Sequence, residues 1–176
     1  MGKIRFYFAA SLDGFIADPD GGVGFLDVVE DEDGHGGYDA FFSQIGTLVM
    51  GRGTYTFVED YGSWPYRQMR TIVLTHRPIE LPLCTLETRV VDDIASFASE
   101  LRAFSDGDTW IVGGGKVMGA FLGAGEVDSI AMSIVPVAIG NGIPMYVGHH
   151  TISQRFALTQ LTQSPGGVAR FEYERL

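Results

Sequence analysis

Three short segments carry residue types that could hold a phosphate-bearing ligand. In Trp110-Ile111-Val112-Gly113-Gly114-Gly115-Lys116-Val117-Met118 an apolar strand runs through glycines into a helix. Glycines let the backbone approach a pyrophosphate closely, and the free N–H groups of a helix start point at it along the favourable end of the helix dipole. A plain tight turn is the other reading, although a single glycine would serve it. Val49-Met50-Gly51-Arg52-Gly53-Thr54-Tyr55 has the same form and adds a hydroxyl and a guanidinium. Thr54 can donate to a phosphate oxygen and Arg52 can make a charge-assisted contact; the plainer alternative makes Arg52 a surface cation and Thr54 a helix cap. Ile72-Val73-Leu74-Thr75-His76-Arg77-Pro78 ends an apolar strand in a hydroxyl, an imidazole and a guanidinium. Two common nucleotide motifs do not fit. A G-x-G-x-x-G fingerprint from Gly113 would need glycine at Met118, and a P-loop would need Ser or Thr at Val117 and glycine at Trp110.

The elements that must position these turns read as alternating strands and helices. Strand patterns fall at about 3–10, 47–50, 70–75, 88–91, 109–112, 127–135, 154–163 and 168–175. Ile94, Phe97, Ala98 and Leu101 mark a helix over 93–104 that lays one face on a sheet. Tyr38, Phe41, Phe42 and Ile45 repeat that spacing in a shorter helix, and another runs from Lys116 to Leu122. The all-apolar strands at 47–50, 71–74 and 110–112 suit central parallel positions with both faces covered. Ser164-Pro165-Gly166-Gly167 between two alternating strands predicts an antiparallel hairpin at the sheet edge. The expectation is an α/β fold, a mostly parallel sheet with helices on both faces. Ligands of open α/β sheets bind outside the carboxyl ends of strands, so the three turns should converge on one dinucleotide.

Composition narrows the partners. A chain of 176 residues, 45% hydrophobic and 19% charged, suits one globular domain over 1–176. The net charge of -10 argues against nonspecific binding to nucleic acid or an anionic membrane, so an anionic ligand must be held by local cations. Cys84 is the only cysteine, which excludes an intrachain disulfide and suits a reducing compartment. The N-terminal segment alternates like a strand and has no apolar signal, so a cytoplasmic location is expected. Glu30, Asp31, Glu32 and Asp33 read as a solvated, mobile loop, and His149 with His150 as surface; no metal is expected. Trp64, Tyr66 and Phe25 could line the pocket of a planar substrate, against the default of aromatic residues in the core. In Ile139-Gly140-Asn141-Gly142-Ile143-Pro144, Gly140, Asn141 and Gly142 could offer backbone N–H groups to a substrate, or merely redirect the chain.

The three turns in this order, with Ser11-Leu12-Asp13-Gly14-Phe15-Ile16-Ala17 at the first strand end, resemble the dihydrofolate reductase-like family. Ser11-Leu12-Asp13-Gly14 and the stretch from Ile134 to Pro144 are most similar to the reductase domain of riboflavin biosynthesis and its stand-alone bacterial relatives. The resemblance implies a three-layer dihydrofolate reductase-like fold and an NADPH-dependent reductase of a small heterocycle, pyrimidine or pterin-like. The ribosylaminopyrimidine reduced in riboflavin synthesis is one such substrate. A noncatalytic NADP(H)-binding or sensing protein is the alternative. It further implies that Gly51, Arg52, Gly53 and Thr54 form the cofactor turn, and that Leu74, Thr75, His76 and Arg77 supply a second contact to the 2′-phosphate. Gly113, Gly114, Gly115, Lys116 and Val117 would pass under the pyrophosphate and nicotinamide ribose, with Ala10 and Ile16 flanking the nicotinamide. Asp39 sits nearest the place of the proton-donating carboxylate, Asp13 is its rival, and water is a third source; Asp39 could equally be a first-turn acid and Asp13 a turn former. A homodimer is expected from the resemblance and from the apolar stretch at 130–137.

Overall fold

The computed structural model describes residues 1–27, 37–60, 62–77, 79, 85–104, 106–148 and 154–176. The acidic run at 30–33, Cys84, His149 and His150 lie outside them. In chain order the first half contains β1 (Ile4–Ser11), β2 (Phe15–Ala17), α1 (Tyr38–Phe42), β3 (Ile45–Gly51), α2 (Arg52–Asp60), β4 (Arg70–Leu74) and β5 (Leu86–Arg89). Then follow α3 (Ile94–Ala103), β6 (Asp108–Gly113), α4 (Gly115–Gly123), β7 (Ser129–Val135), β8 (Ile143–Pro144), β9 (Phe156–Gln163) and β10 (Ala169–Arg175). Eight strands form one sheet in the order β5-β4-β3-β6-β1-β7-β10-β9. From β5 to β7 every pairing is parallel, and β10 and β9 close the edge antiparallel, as the alternation and the turn signal predict.

Each face of the sheet is covered because its strands alternate apolar residues in and out. Ile4, Phe6, Val49, Ile72 and Ile111 meet Phe97, Ala98 and Leu101 of α3 and Met118 and Phe121 of α4. On the other face Leu48, Met50, Val73 and Trp110 meet Phe41 of α1, Tyr55 of α2 and Trp64. The result is the expected three layers. Asp93 starts α3 by accepting from the N–H groups of Ala95 and Ser96, 3.0 and 3.3 Å away, and Arg102 stands in the last turn where the dipole favours a cation. No described helix is long and apolar enough to cross a membrane.

Two elements depart from the periodicity. Ile45 does not continue α1, which stops at Phe42; it opens β3. The Ser43 N–H closes the last helical turn on Asp39, and the Gln44 carbonyl then accepts the Asp108 N–H at 2.8 Å, which draws the chain into the ladder beside β6. Long-range pairing here overrides a local helical spacing. β2 and β8 are three and two residues long, too short for alternation to show, and they exist because they pair with each other.

The α3–α4 layer should account for much of the stability. Phe121 is fully buried with its ring 6.1 Å from that of Phe97, so Phe121→Ala should cost about 3–5 kcal/mol in denaturant unfolding. A loss no larger than the roughly 0.5 kcal/mol of a surface change would remove this layer from the core.

Candidate active site

The crevice follows from the topology. β3 and β6 are neighbours, yet the helices that follow them pack on opposite faces, α2 against Leu48, Met50 and Trp110 and α4 against Phe6 and Ile111. Chains that part to opposite faces leave a gap at the carboxyl ends of adjacent strands. Ladder register sets what lines it: Met50 pairs with Gly113 and Gly51 with Leu74, so the three turns stand side by side at strand spacing.

Of the glycines there, Gly51 is the one whose Cβ would be pressed by a side chain, and Gly113 is held at a φ of 149° that favours glycine. A Cβ on Gly113 or on Gly114 would point at the Thr54 hydroxyl, 3.5 Å off, and one on Gly51 would press on Val117 at 3.2 Å. Gly53 faces open space. Gly113 and Gly114 are joined by a cis peptide bond. No side chain caps α4 at Gly114, so its first-turn N–H groups keep their capacity for an anion. Arg52, Gly53, His76, Arg77 and Lys116 are exposed. Among the described residues no carboxylate pairs with Arg52 or Arg77. The Thr75 hydroxyl accepts from the Arg77 N–H at 3.1 Å and donates to its carbonyl at 3.0 Å, shaping the turn that presents His76 and Arg77.

On the other side of β6, β1 ends beside β7 with Ala10 opposite Ile134 and Ser11 opposite Val135. Ala10 is fully buried, and Ile16 on β2 packs on the same core as α4. Asp13 follows β1 directly; its carboxylate accepts from the Ser11 hydroxyl at 2.6 Å and from the N–H groups of Ile139 and Gly140 at 3.2 and 2.7 Å. The Ser11 hydroxyl and these N–H groups hold it below the usual carboxylate range, against the opposing push of desolvation. Two backbone donors of the 139–142 loop are thus turned to Asp13 rather than outward. Gly142 packs against the Ala17 carbonyl, where a Cβ would collide, and Asn141 is exposed.

Asp39 is exposed in the first turn of α1, well away from Asp13 in the chain. Beside it, Tyr38 lies edge-on to Tyr7, 5.8 Å between rings, and shares a hydrogen bond with Tyr66. Burial, first of all, pushes both the Tyr38 and Tyr66 phenols up, so they stay protonated near neutral pH. Arg170 of β10 reaches over Tyr7 at 4.8 Å, donates to its hydroxyl at 2.9 Å and pairs with Glu172. Neither Ser11 nor this Tyr7–Arg170 pair stands out in the sequence as a site residue. Ser11 shows only as part of its motif, and Arg170 joins Tyr7 across 163 residues of chain. Trp64 is buried between Tyr55 and Tyr66, in the core, and Phe25 is buried in a 3-10 turn.

Residues 2–169 match the family model of the RibD C-terminal domain. The uncharacterized protein YwjB of Bacillus subtilis is 29% identical over 174 residues, 98% of each chain. A solved structure of a putative riboflavin biosynthesis protein from Shewanella sp. PV-4 superposes with a TM-score of 0.86 at 26% identity, covering 100% of this chain and 99% of its own. The dihydrofolate reductase of Enterococcus faecalis, solved with NADP(H) and RAB-propyl, shares the fold with a TM-score of 0.62 at 18% identity, over 99% of this chain and 96% of its own.

The packing around the crevice separates two glycines. A Cβ on Gly115 would collide with the Pro144 carbonyl, whereas one on Gly53 meets nothing. Gly115→Ala should therefore lower unfolding stability by about 1–3 kcal/mol, an overpacking cost, while Gly53→Ala leaves it unreduced. Equal unfolding midpoints for the two variants would refute this arrangement.

Proposed function

The chain belongs to the RibD C-terminal domain family and has the dihydrofolate reductase fold, and from that premise we propose that it is an NADPH-dependent reductase of a small pyrimidine-like or pterin-like heterocycle. The observation that carries the reading is the crevice between β3 and β6, where the uncapped start of α4 faces the Gly51–Thr54 turn. Its residues fit a dinucleotide. Gly53, Gly113 and Gly114 leave room for close backbone approach, and the Thr54 hydroxyl and the first N–H groups of α4 complement a pyrophosphate. Arg52, with Thr75, His76 and Arg77 on the turn after Leu74, complements a 2′-phosphate. Ala10 and Ile16 would flank the nicotinamide ring, and Gly115, Lys116 and Val117 its ribose. When bound, the cofactor would supply a hydride to an electrophilic carbon or C=N bond of the substrate.

The chain's own task is then to orient, to exclude water and to deliver one proton. We assign the proton to Asp39 or to water that it orders, since Asp39 is exposed and its carboxylate is not committed to a loop. Phe25 and the loop of Gly140, Asn141 and Gly142 are proposed to bound the substrate end. A noncatalytic NADP(H)-binding role is the second reading, and one observation favours it: the carboxylate of the rival donor Asp13 accepts from Ser11 and from loop backbone. Oxidation of NADPH with any member of a pyrimidine and pterin panel, lost in Asp39→Ala, decides for the enzyme; binding without turnover across the panel decides for the second reading.

We also propose a homodimer through the edge hairpin, where Leu158 and Leu161 are exposed beside the stacked rings of Phe171 and Tyr173. Light scattering should give twice the chain mass, falling to one chain mass in a Leu158→Glu, Leu161→Glu double variant; a wild type of single-chain mass would overturn it.

Cofactor choice rests on charge. Arg52→Ala or Arg77→Ala should weaken NADPH binding by about 1–3 kcal/mol, the worth of a hydrogen bond to a charged group, and leave NADH almost untouched. Equal losses for both cofactors in fluorescence titrations would exclude the 2′-phosphate placement.

A further inference from the structure

The Asp13 carboxylate makes bonds to three donors and each belongs to the chain itself. Ser11, fully buried at the end of β1, accepts the Phe15 N–H on its hydroxyl oxygen at 3.0 Å and sends its own proton to Asp13. The N–H groups of Ile139 and Gly140 complete the set. An ionised carboxylate suits this set, because both of its oxygens accept and it adds no proton of its own among the donors. Gly140 holds a φ of 77°, a left-handed conformation that turns its N–H inward to Asp13.

Beyond that anchor the chain does not wander. Gly142 packs on the Ala17 carbonyl, Ile143 and Pro144 pair with Ala17 and Phe15, and the Met145 N–H donates to the Gly14 carbonyl at 3.0 Å. The Pro144 carbonyl then abuts Gly115, and the Val147 N–H donates to the Gly115 carbonyl at 2.9 Å. Residues 139–147 thus form a strap from Asp13 at the end of β1 to the first turn of α4. Its middle backs β2, which carries Ile16.

We propose that Asp13 is a positioning residue, an ionised anchor for the 139–147 strap that holds Ile16 and the Gly113–Gly115 turn at the spacing an NADPH nicotinamide needs. The inference rests on the NADPH reading for its ligand, but the anchor itself does not. Its lowered pKa has a definite sign: a depressed carboxylate keeps its anchoring at neutral pH and loses it only as pH falls below the ordinary aspartate value of about 3.9. A group so held is a poor proton source near pH 7.

Asp13→Asn, nearly the same shape with one acceptor oxygen lost, tests this in the full chain. Hydrogen exchange without cofactor should be at least tenfold faster at 139–147 and in the first turn of α4, with β3 and β4 unchanged. The NADPH dissociation constant should rise about tenfold, while the pH profile of turnover keeps the same limbs. If Asp13→Asn does not fold, Asp13→Glu, which keeps the charge on a longer arm, should show the same changes at smaller size. Unchanged exchange at 139–147 overturns the anchor, and faster exchange with unchanged NADPH affinity overturns its positioning role. Loss of a pH limb with unchanged exchange would make Asp13 a proton donor instead. Should wild type fail to bind NADPH while the variant exchanges faster, the anchor stands and the cofactor reading falls.

Discussion

At the carboxyl ends of β3 and β6 two chains leave adjacent strands for opposite faces of the sheet, and a gap opens between them. Gly113 and Gly114 on one lip and Gly51 on the other bring the strands' ends into contact with Thr54 and Val117 without blocking the opening. A side chain at Gly51 would press on Val117, and one at Gly113 would have to take a φ of 149°. Beside it α4 starts uncapped, and the strap behind is pressed against Gly115.

The opposite end of the sheet is organised differently, by charge. Asp128, ahead of β7, accepts the Ile4 N–H at 2.8 Å and pairs with Arg102 of α3 and Arg175 of β10, while Arg102 also pairs with Glu126. One carboxylate therefore ties the start of β1 to a helix end and to the last strand. Such partly buried, shared pairs are screened less than isolated surface pairs. The other end of the sheet carries the turns of Arg52, His76 and Arg77, and among the described residues no carboxylate pairs with either arginine. In a chain of net charge -10 a local cluster of Arg52, His76 and Arg77 matters more than the total.

Much of this was legible from residue order. The parallel strands, the edge hairpin and the helices at 38–42, 94–103 and 115–123 follow from periodicity, and the glycine turns from composition. The misread and unread parts share one cause, bonds between residues far apart in sequence. Ile45 fits a helix until it pairs with Asp108 of β6. Asp13 looks like a turn former or an acid until Ile139 and Gly140 reach it across 126 and 127 residues. Tyr7 and Arg170 are an ordinary aromatic and an ordinary cation until β10 is laid beside β7.

The amino-acid sequence by itself determined which residues could meet a phosphate and the class of fold that carries them, because glycine conformation, helix starts and strand alternation are local properties of a few neighbouring residues. The convergence of the three turns is expected from strand ends alone, but tertiary structure decided which crevice they share, since that depends on which strands are adjacent and on the faces their helices take. It also decided which donors Asp13 meets. A carboxylate's chemistry is set by the donors around it, and two of the three here, the N–H groups of Ile139 and Gly140, lie 126 and 127 residues along the chain.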